Sequence, residues 1–402
     1  MRTNPGGSLK PEEIVGRDRL IVTLWDKLER HSVRMTAERR MGKTSVLKKM
    51  LAHQPEGMTA FYLDLEHVES PEELVQEIFN KVSEVLGGVQ KWQGKLRRIE
   101  VEVSSTLCAS RQQKFLVNWG LGGEKIMGVS LPKPGLSWKQ HLQGMMRDLS
   151  AQVEAEEKWL LFFDELPFAI DNIRKDKGAN AAMAVLDTLR SIRQEHSQIR
   201  MVYSGSIGLH HVVAELKTQG YRNAPTNDMP LVEVGPFAAY DAWDLARNLI
   251  IGEGIATDSL EDVSQAIAVT VNEIPFYIHH CVAELKELNT VVTTAQVEAM
   301  IQASIRKYDV WEIGYCETRI KTYYGAQDKL ALLVLDKLAA GIAVATGDLW
   351  DWVSAKSPDL DKEVFRSTLN LLEQDHYICR NDEGNYQFRF SLVQRYWHQQ
   401  RG

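Results

Sequence analysis

One short stretch constrains this chain more than any other part of it: Ala37-Glu38-Arg39-Arg40-Met41-Gly42-Lys43-Thr44, followed by Ser45. The run before it, Ser32 to Thr36, reads as a short apolar strand, and Thr44 to Ala52 reads as a helix. A loop passing from a strand into a helix N-terminus presents several unpaired backbone N–H groups, and the helix dipole favours an anion there. Gly42 lets the backbone come close to phosphate, Lys43 can neutralise β- and γ-phosphate oxygens, and the Thr44 hydroxyl can ligate Mg²⁺. Ala37 departs from the usual pattern, which begins with Gly; the change is tolerable if that turn keeps a negative φ.

The surrounding sequence supplies the rest of a layered α/β unit. Thr59 to Leu65, Lys158 to Phe163, Arg200 to Tyr203 and Leu231 to Val234 read as further strands, alternating with helical stretches. That alternation predicts a parallel sheet with flanking helices. Leu160-Leu161-Phe162-Phe163-Asp164-Glu165 carries four apolar residues into two acids, and in such a sheet the ligand edge lies at the carboxyl ends of strands. Asp164 is the candidate magnesium ligand and Glu165 the candidate residue to polarise an attacking water. An acid directly after the magnesium aspartate favours water as the nucleophile, hence hydrolysis. The first fifty residues hold twelve Lys/Arg against six Asp/Glu, a local basic surplus around the loop.

Length and composition set the outer bounds. At 402 residues the chain suits two or three domains. The net charge of −7 argues against a wholesale nucleic-acid coat. No stretch approaches the roughly 18 apolar residues of a membrane span, and the polar start MRTNPGGSLKPEE lacks a signal-peptide core, so a cytoplasmic protein is expected. Cys108, Cys281, Cys316 and Cys379 show no CxxC spacing and read as buried thiols. From Ala238 to Lys307 the pattern is helical throughout and fits four helices. Lys329–Ala339, Gly347–Val353 and Asp361–Glu373 predict three more, and His376–Arg380 with Tyr386–Phe390 predict a hairpin turning at Asn381 to Asn385. Three helices and a short hairpin make a winged helix.

These motifs, in this order, resemble the archaeal-type ATPases of the STAND branch of P-loop NTPases, relatives of AAA+ proteins. The resemblance begins at Ile14-Val15-Gly16-Arg17, a segment that in such proteins helps wrap the adenine, and continues through Arg39 to Ser45 and Asp164-Glu165-Leu166-Pro167. Tyr203-Ser204-Gly205-Ser206 resembles the strand end that senses the γ-phosphate, which makes Ser204 a candidate catalytic residue beside Lys43 and Glu165. Gly235-Pro236-Phe237 resembles the passage into a helical lid. Asn272-Glu273-Ile274-Pro275 stands where the family has a turn of small residues before proline, and Trp311 to Tyr324 resembles its connector. The resemblance implies a P-loop ATPase domain over 1–236 with an insertion at about 90–138, a lid over 237–310, and a connector and winged helix over 311–402. It further implies ATP and Mg²⁺ as ligands and a switch working through a protein partner or self-assembly. Two alternatives stay open: a DNA-associated regulator or loader, in a transposition, replication or phage-defence setting, and a scaffold that holds nucleotide without hydrolysing it.

Several features are weighed against plainer readings. The segment Gln90 to Trp138 holds Trp92, Trp119 and Trp138 and a hairpin at Phe115 to Leu131; docking of a partner competes with packing in a minor core, and packing is favoured. From Ala326 onward nine Lys/Arg face eleven Asp/Glu, and Asp361 to Glu373 offers only Lys362 and Arg366, so direct DNA contact is not favoured. Arg222 and Arg319 are candidate arginine fingers, with solvation or salt bridging the commoner fate. His210-His211 has no acid or Cys at ligand spacing, which favours a solvated or capping role.

Overall fold

The computed structural model describes residues 1–7, 9–88, 137–153, 156–206, 208–307 and 310–402. Helix α1 (Asp18–Arg30) leads into β1 (Val33–Thr36), α2 (Lys43–Ala52), β2 (Met58–Asp64) and α3 (Pro71–Gly88). Then follow α4 (Trp138–Ser150), β3 (Lys158–Asp164), α5 (Leu166–Lys177), α6 (Ala179–Glu195), β4 (Ile199–Tyr203), α7 (Leu209–Thr218) and β5 (Leu231–Glu233). The five strands form one sheet in the order β2-β3-β4-β1-β5, with every neighbour parallel.

Alternation along the strands explains why the sheet is covered on both faces. In β3, Leu160 and Phe162 point into a core with Leu24 and Leu28 of α1 and Val46, Leu47 and Met50 of α2. Leu161 and Phe163 point into a second core with residues of α3 to α6, and Trp138 packs against that core. Trp92, Trp119 and the hairpin expected at 115–131 lie outside the described residues. Strand β4 runs between β1 and β3, and all three run the same way. The segments that follow them, 37–42, 164–165 and 204–206, therefore meet at one edge of the sheet.

The C-terminal region is helical where its local signals are strong. Helices α8 (Ala239–Glu253), α9 (Leu260–Thr270), α10 (Pro275–Glu287) and α11 (Thr294–Ile305) occupy the stretch expected to hold four. Ser259 caps α9, Thr293 and Gln296 form a capping box on α11, and Pro275 opens α10. After a 3₁₀ turn at Val310–Glu312 come α12 (Tyr315–Tyr323), α13 (Asp328–Leu338), α14 (Thr346–Lys356) and α15 (Lys362–Gln374). Strands β6 (Ile378–Arg380) and β7 (Tyr386–Phe388) pair antiparallel around a turn with Gly384 at φ 81°.

A last helix, α16 (Ser391–Arg401), was not expected from the sequence. It buries Leu392, Val393, Tyr396 and Trp397, a single helical period followed by polar residues, too short a pattern to stand out. The core on the α1–α2 face of the sheet continues without a break through α8 to α16. Cys281 and Cys316 are buried free thiols and Cys379 is half-buried. Among the described residues, no helix is long and apolar enough to cross a membrane.

Candidate functional site

The loop after β1 is shaped by two left-handed residues. Gly42 lies at φ 85° and caps α2, and Arg40 lies at φ 71°. A Cβ at Gly42 would meet only the Ser45 side chain, at 3.8 Å, so it is the backbone conformation that calls for glycine there. Ala37 lies outside the positive-φ residues, and its departure from glycine carries no backbone strain. Lys43 is buried at the first turn of α2, and its Nζ donates to the Ala37 carbonyl at 3.2 Å. Burial, with Arg319 close by, brings Lys43 down to about 8 from the ordinary lysine value of 10.5.

Asp164, 120 positions beyond Thr44, and its neighbours complete the edge. Thr44 Oγ1 donates to Asp164 Oδ2 at 2.7 Å, and the Tyr62 hydroxyl donates to the same oxygen at 2.9 Å. Asp164 Oδ1 is buried and has no partner. Glu165 sits at φ 56°, and its carboxylate accepts from the Ser206 backbone N–H at 2.8 Å and from Ser206 Oγ at 2.9 Å. Burial raises the Glu165 carboxyl above its ordinary range against the opposing pull of those bonds. Ser204, at the end of β4, is buried with an unpartnered Oγ. Buried polar atoms without partners are rare in proteins and usually mark a place for a ligand or water. The oxygen donors of Thr44 and Asp164, one of them orphaned, suit a hard cation such as Mg²⁺.

The flanking residues are tied to the loop in ways that spacing alone does not reveal. Arg17 donates to the Met41 carbonyl at 2.6 Å and to the Gly235 carbonyl at 2.8 Å, and its guanidinium lies 4.4 Å from the Phe237 ring centre. Burial lowers Arg17 to about 10. Gly16, at φ 66°, would bring a Cβ to within 2.9 Å of Asp241, while Val15 packs half-buried on the core. Arg39 and Arg40 both reach Glu312, at 3.1 Å for Arg39, and lie over the Tyr315 and Phe276 rings respectively. Trp311 and Glu312 are consecutive left-handed residues, at φ 48° and 57°, and the Trp311 indole donates to Glu284 at 2.5 Å. Such backbone costs of order 1–3 kcal/mol per residue and persists only where the surroundings fix it.

Arg319 is buried and faces Glu38 of the loop at 3.8 Å, so this candidate finger belongs to the site from within the same chain; Arg222 is exposed. The expectation for His210 and His211 is corrected. An acid absent from their sequence neighbourhood, Asp375, packs against both, and His211 is buried rather than solvated. Tyr62, Ser206, Glu312 and Phe276 were also missed. Tyr62 carried a signal, since β2 runs in register beside β3 and places Tyr62 opposite Phe162, two positions before the acid.

No protein-family model matches the chain, and no curated protein matches it. Solved structures do match in shape. A Walker-type ATPase of Pyrococcus abyssi aligns over 96% of this chain and 96% of its own, with a TM-score of 0.64 and 16% identity. The core is a P-loop NTPase fold. The ORC2 protein of Aeropyrum pernix, in its ADPNP–ADP complexes, aligns over 99% of this chain and 94% of its own, with a TM-score of 0.50 and 11% identity. At these identities the likeness establishes architecture: a parallel five-stranded core with flanking helices and a helical C-terminal region, shared along nearly the whole chain.

Proposed function

We propose that this chain binds ATP with Mg²⁺ and hydrolyses it, as a nucleotide-controlled switch of the STAND/AAA+ type. The observation that carries the reading is the 2.7 Å bond from Thr44 to Asp164 beside the left-handed Gly42 turn and the buried Lys43. Two halves of one phosphate chemistry, distant in sequence, meet at the edge where strands deliver ligand-binding loops.

In this reading, N–H groups of 37–45 cradle the phosphates and Lys43 neutralises their charge. Thr44 and Asp164 would hold Mg²⁺, which when bound supplies Lewis-acid stabilisation of charge on phosphate oxygens. Glu165 leaves Ser206 to accept the proton of the attacking water, while Ser204 contacts the terminal phosphate. Val15 and Gly16 shape the wall beside the base. Arg17, already engaged by two carbonyls, acts by fixing the loop.

The switch reading rests on what covers the loop. We read α8–α11 as a lid and α13–α15 with β6 and β7 as a winged helix, dividing the chain at 1–236, 237–310 and 311–402. Glu312 grips Arg39 and Arg40, Arg319 faces Glu38, and His376 meets Thr36 at 3.1 Å, so the C-terminal region reads the loop directly. Phosphates entering the loop compete with the Glu312 carboxylate for the two arginines, and the outcome governs a protein partner or self-assembly. A DNA-associated role has less support, because Arg366 of α15 is engaged by Glu363.

Lys43→Ala should abolish ATP binding measured by calorimetry, and Glu165→Gln should bind at near-parent affinity while releasing no phosphate. Unchanged turnover in the Glu165→Gln variant would remove the base assignment. Undiminished binding in Lys43→Ala would remove the site.

A further inference from the structure

Away from Thr44 and Asp164, two histidines and a carboxylate converge from opposite ends of the chain. His210 and His211 sit in the first turn of α7, their rings 4.4 Å apart between centres. Asp375 terminates α15 and is buried, and the next residue, His376, turns left-handed at φ 64°. The Asp375 carboxylate faces both imidazoles, Oδ1 lying 3.1 Å from His210 Nε2 and Oδ2 lying 2.6 Å from His211 Nε2. Oδ2 also accepts from the Tyr324 hydroxyl at 2.7 Å. One ligand atom from each of the three residues falls within 4.8 Å of the others.

Two features separate this group from an ordinary buried ion pair. His210 Nε2 is buried and close to Oδ1, yet it makes no directed hydrogen bond. An imidazole nitrogen held beside a carboxylate oxygen without an aligned bond to it can offer its lone pair to a cation that the two share. His210 and Asp375 also border a cleft with Ser204, Ser206 and Arg319, which leaves their side of the group open to water, while His211 lies buried behind them.

We propose that His210, His211 and Asp375 form a binding site for a borderline divalent cation, Zn²⁺ foremost, distinct from the Mg²⁺ position at Thr44 and Asp164. The donor set decides the class: two imidazole nitrogens and one carboxylate suit Zn²⁺, whereas Mg²⁺ prefers oxygens and retains its waters. Three protein ligands leave a fourth position for water from the cleft. Tyr324, bonded to the ligating carboxylate, holds it in place as outer partners of metal sites do. The cation would join α7, which follows the Ser204 strand, to the end of α15, and so fasten the core to the C-terminal region.

The test uses the full chain without a histidine tag, stripped with chelator, and Zn²⁺ or Co²⁺ alone as the probe. One equivalent of Zn²⁺ should bind in the micromolar range or tighter, and Co²⁺ should give visible absorption bands of a low-coordinate site. His210→Ala, whose side chain is partly exposed, and Asp375→Asn, which keeps an acceptor for Tyr324, should each weaken Zn²⁺ binding at least tenfold. Their circular dichroism spectra should match the parent. Lys43→Ala should bind Zn²⁺ as the parent does. The proposal is overturned if the parent takes up no Zn²⁺ at ten micromolar, or if either variant binds it as well as the parent.

Discussion

Lys43 holds the chemistry of the loop in a state that pH can read. Buried and brought down to about 8, it is poised to lose its charge just above neutrality in the free protein. Bound phosphates favour the charged form, so ligand binding draws a proton onto Lys43 wherever the free side chain has lost it. Below pH 8 this group leaves ATP affinity flat. Above it, affinity falls as pH rises, by up to about tenfold per unit. Calorimetry between pH 7 and 9.5 should show that fall, with proton uptake growing alongside it. Lys43→Arg, which does not titrate there, should bind with a flat profile. A parent profile as flat as the arginine variant's would contradict the assignment. The unpartnered Ser204 Oγ and Asp164 Oδ1 lie at the same edge, both buried and both unsatisfied within the protein.

Among the elements, α16 closes the C-terminal core with one face. Trp397 is buried against Phe388, and its indole donates to Asp336 at 2.8 Å. Trp397→Ala should cost about 3–5 kcal/mol in denaturant unfolding, through the lost ring and the cavity left behind. Unfolding within about 1 kcal/mol of the parent would show that α16 is peripheral. This helix is also where reading from sequence fell short. Strands such as KWLLFFD and helices opened by Pro275 or Asp361 carry strong local signals, and they lie where those signals put them. The shape of the loop before α2 was legible for the same reason, since strand, glycine and helix start are all local. The pairings that finish the site are not local. Tyr62 reaches Asp164 across strands, Ser206 holds Glu165 across 41 positions, and Asp375 meets His211 across 164. Nothing in the spacing of one stretch encodes a contact made by the register of another.

Over the whole molecule, one hydrophobic core runs from a face of the sheet into the C-terminal helices, and polar contacts gather above it around the loop. The apolar part resists separation, so the change proposed to follow nucleotide binding would fall most easily on the polar part. Glu312, with its side chain 44% exposed, pairs with two arginines of the loop. Exposed pairs of this kind are each worth roughly 0–1 kcal/mol. Glu312→Gln should free both arginines for phosphate and tighten ATP binding about two- to fivefold, with little change in melting temperature. Unchanged or weaker binding would show that Glu312 does not compete with nucleotide. Arg389 makes a parallel link, joining Glu233 at the end of β5 to His376 beyond α15.

The left-handed pair at Trp311 and Glu312 has an optical consequence. An indole buried beside Tyr277 and hydrogen-bonded to Glu284 lies one peptide bond from the carboxylate that grips the loop. A ligand that pulls Arg39 and Arg40 away would free Glu312 and change the surroundings of the neighbouring indole, whose emission follows the polarity beside it. ATP should therefore shift the intrinsic emission of the parent protein, and Trp311→Phe should remove that shift while nucleotide still binds. An equal shift in the variant would place the signal elsewhere among the ten tryptophans. The chain carries its own fluorophore one residue from the carboxylate that holds Arg39 and Arg40.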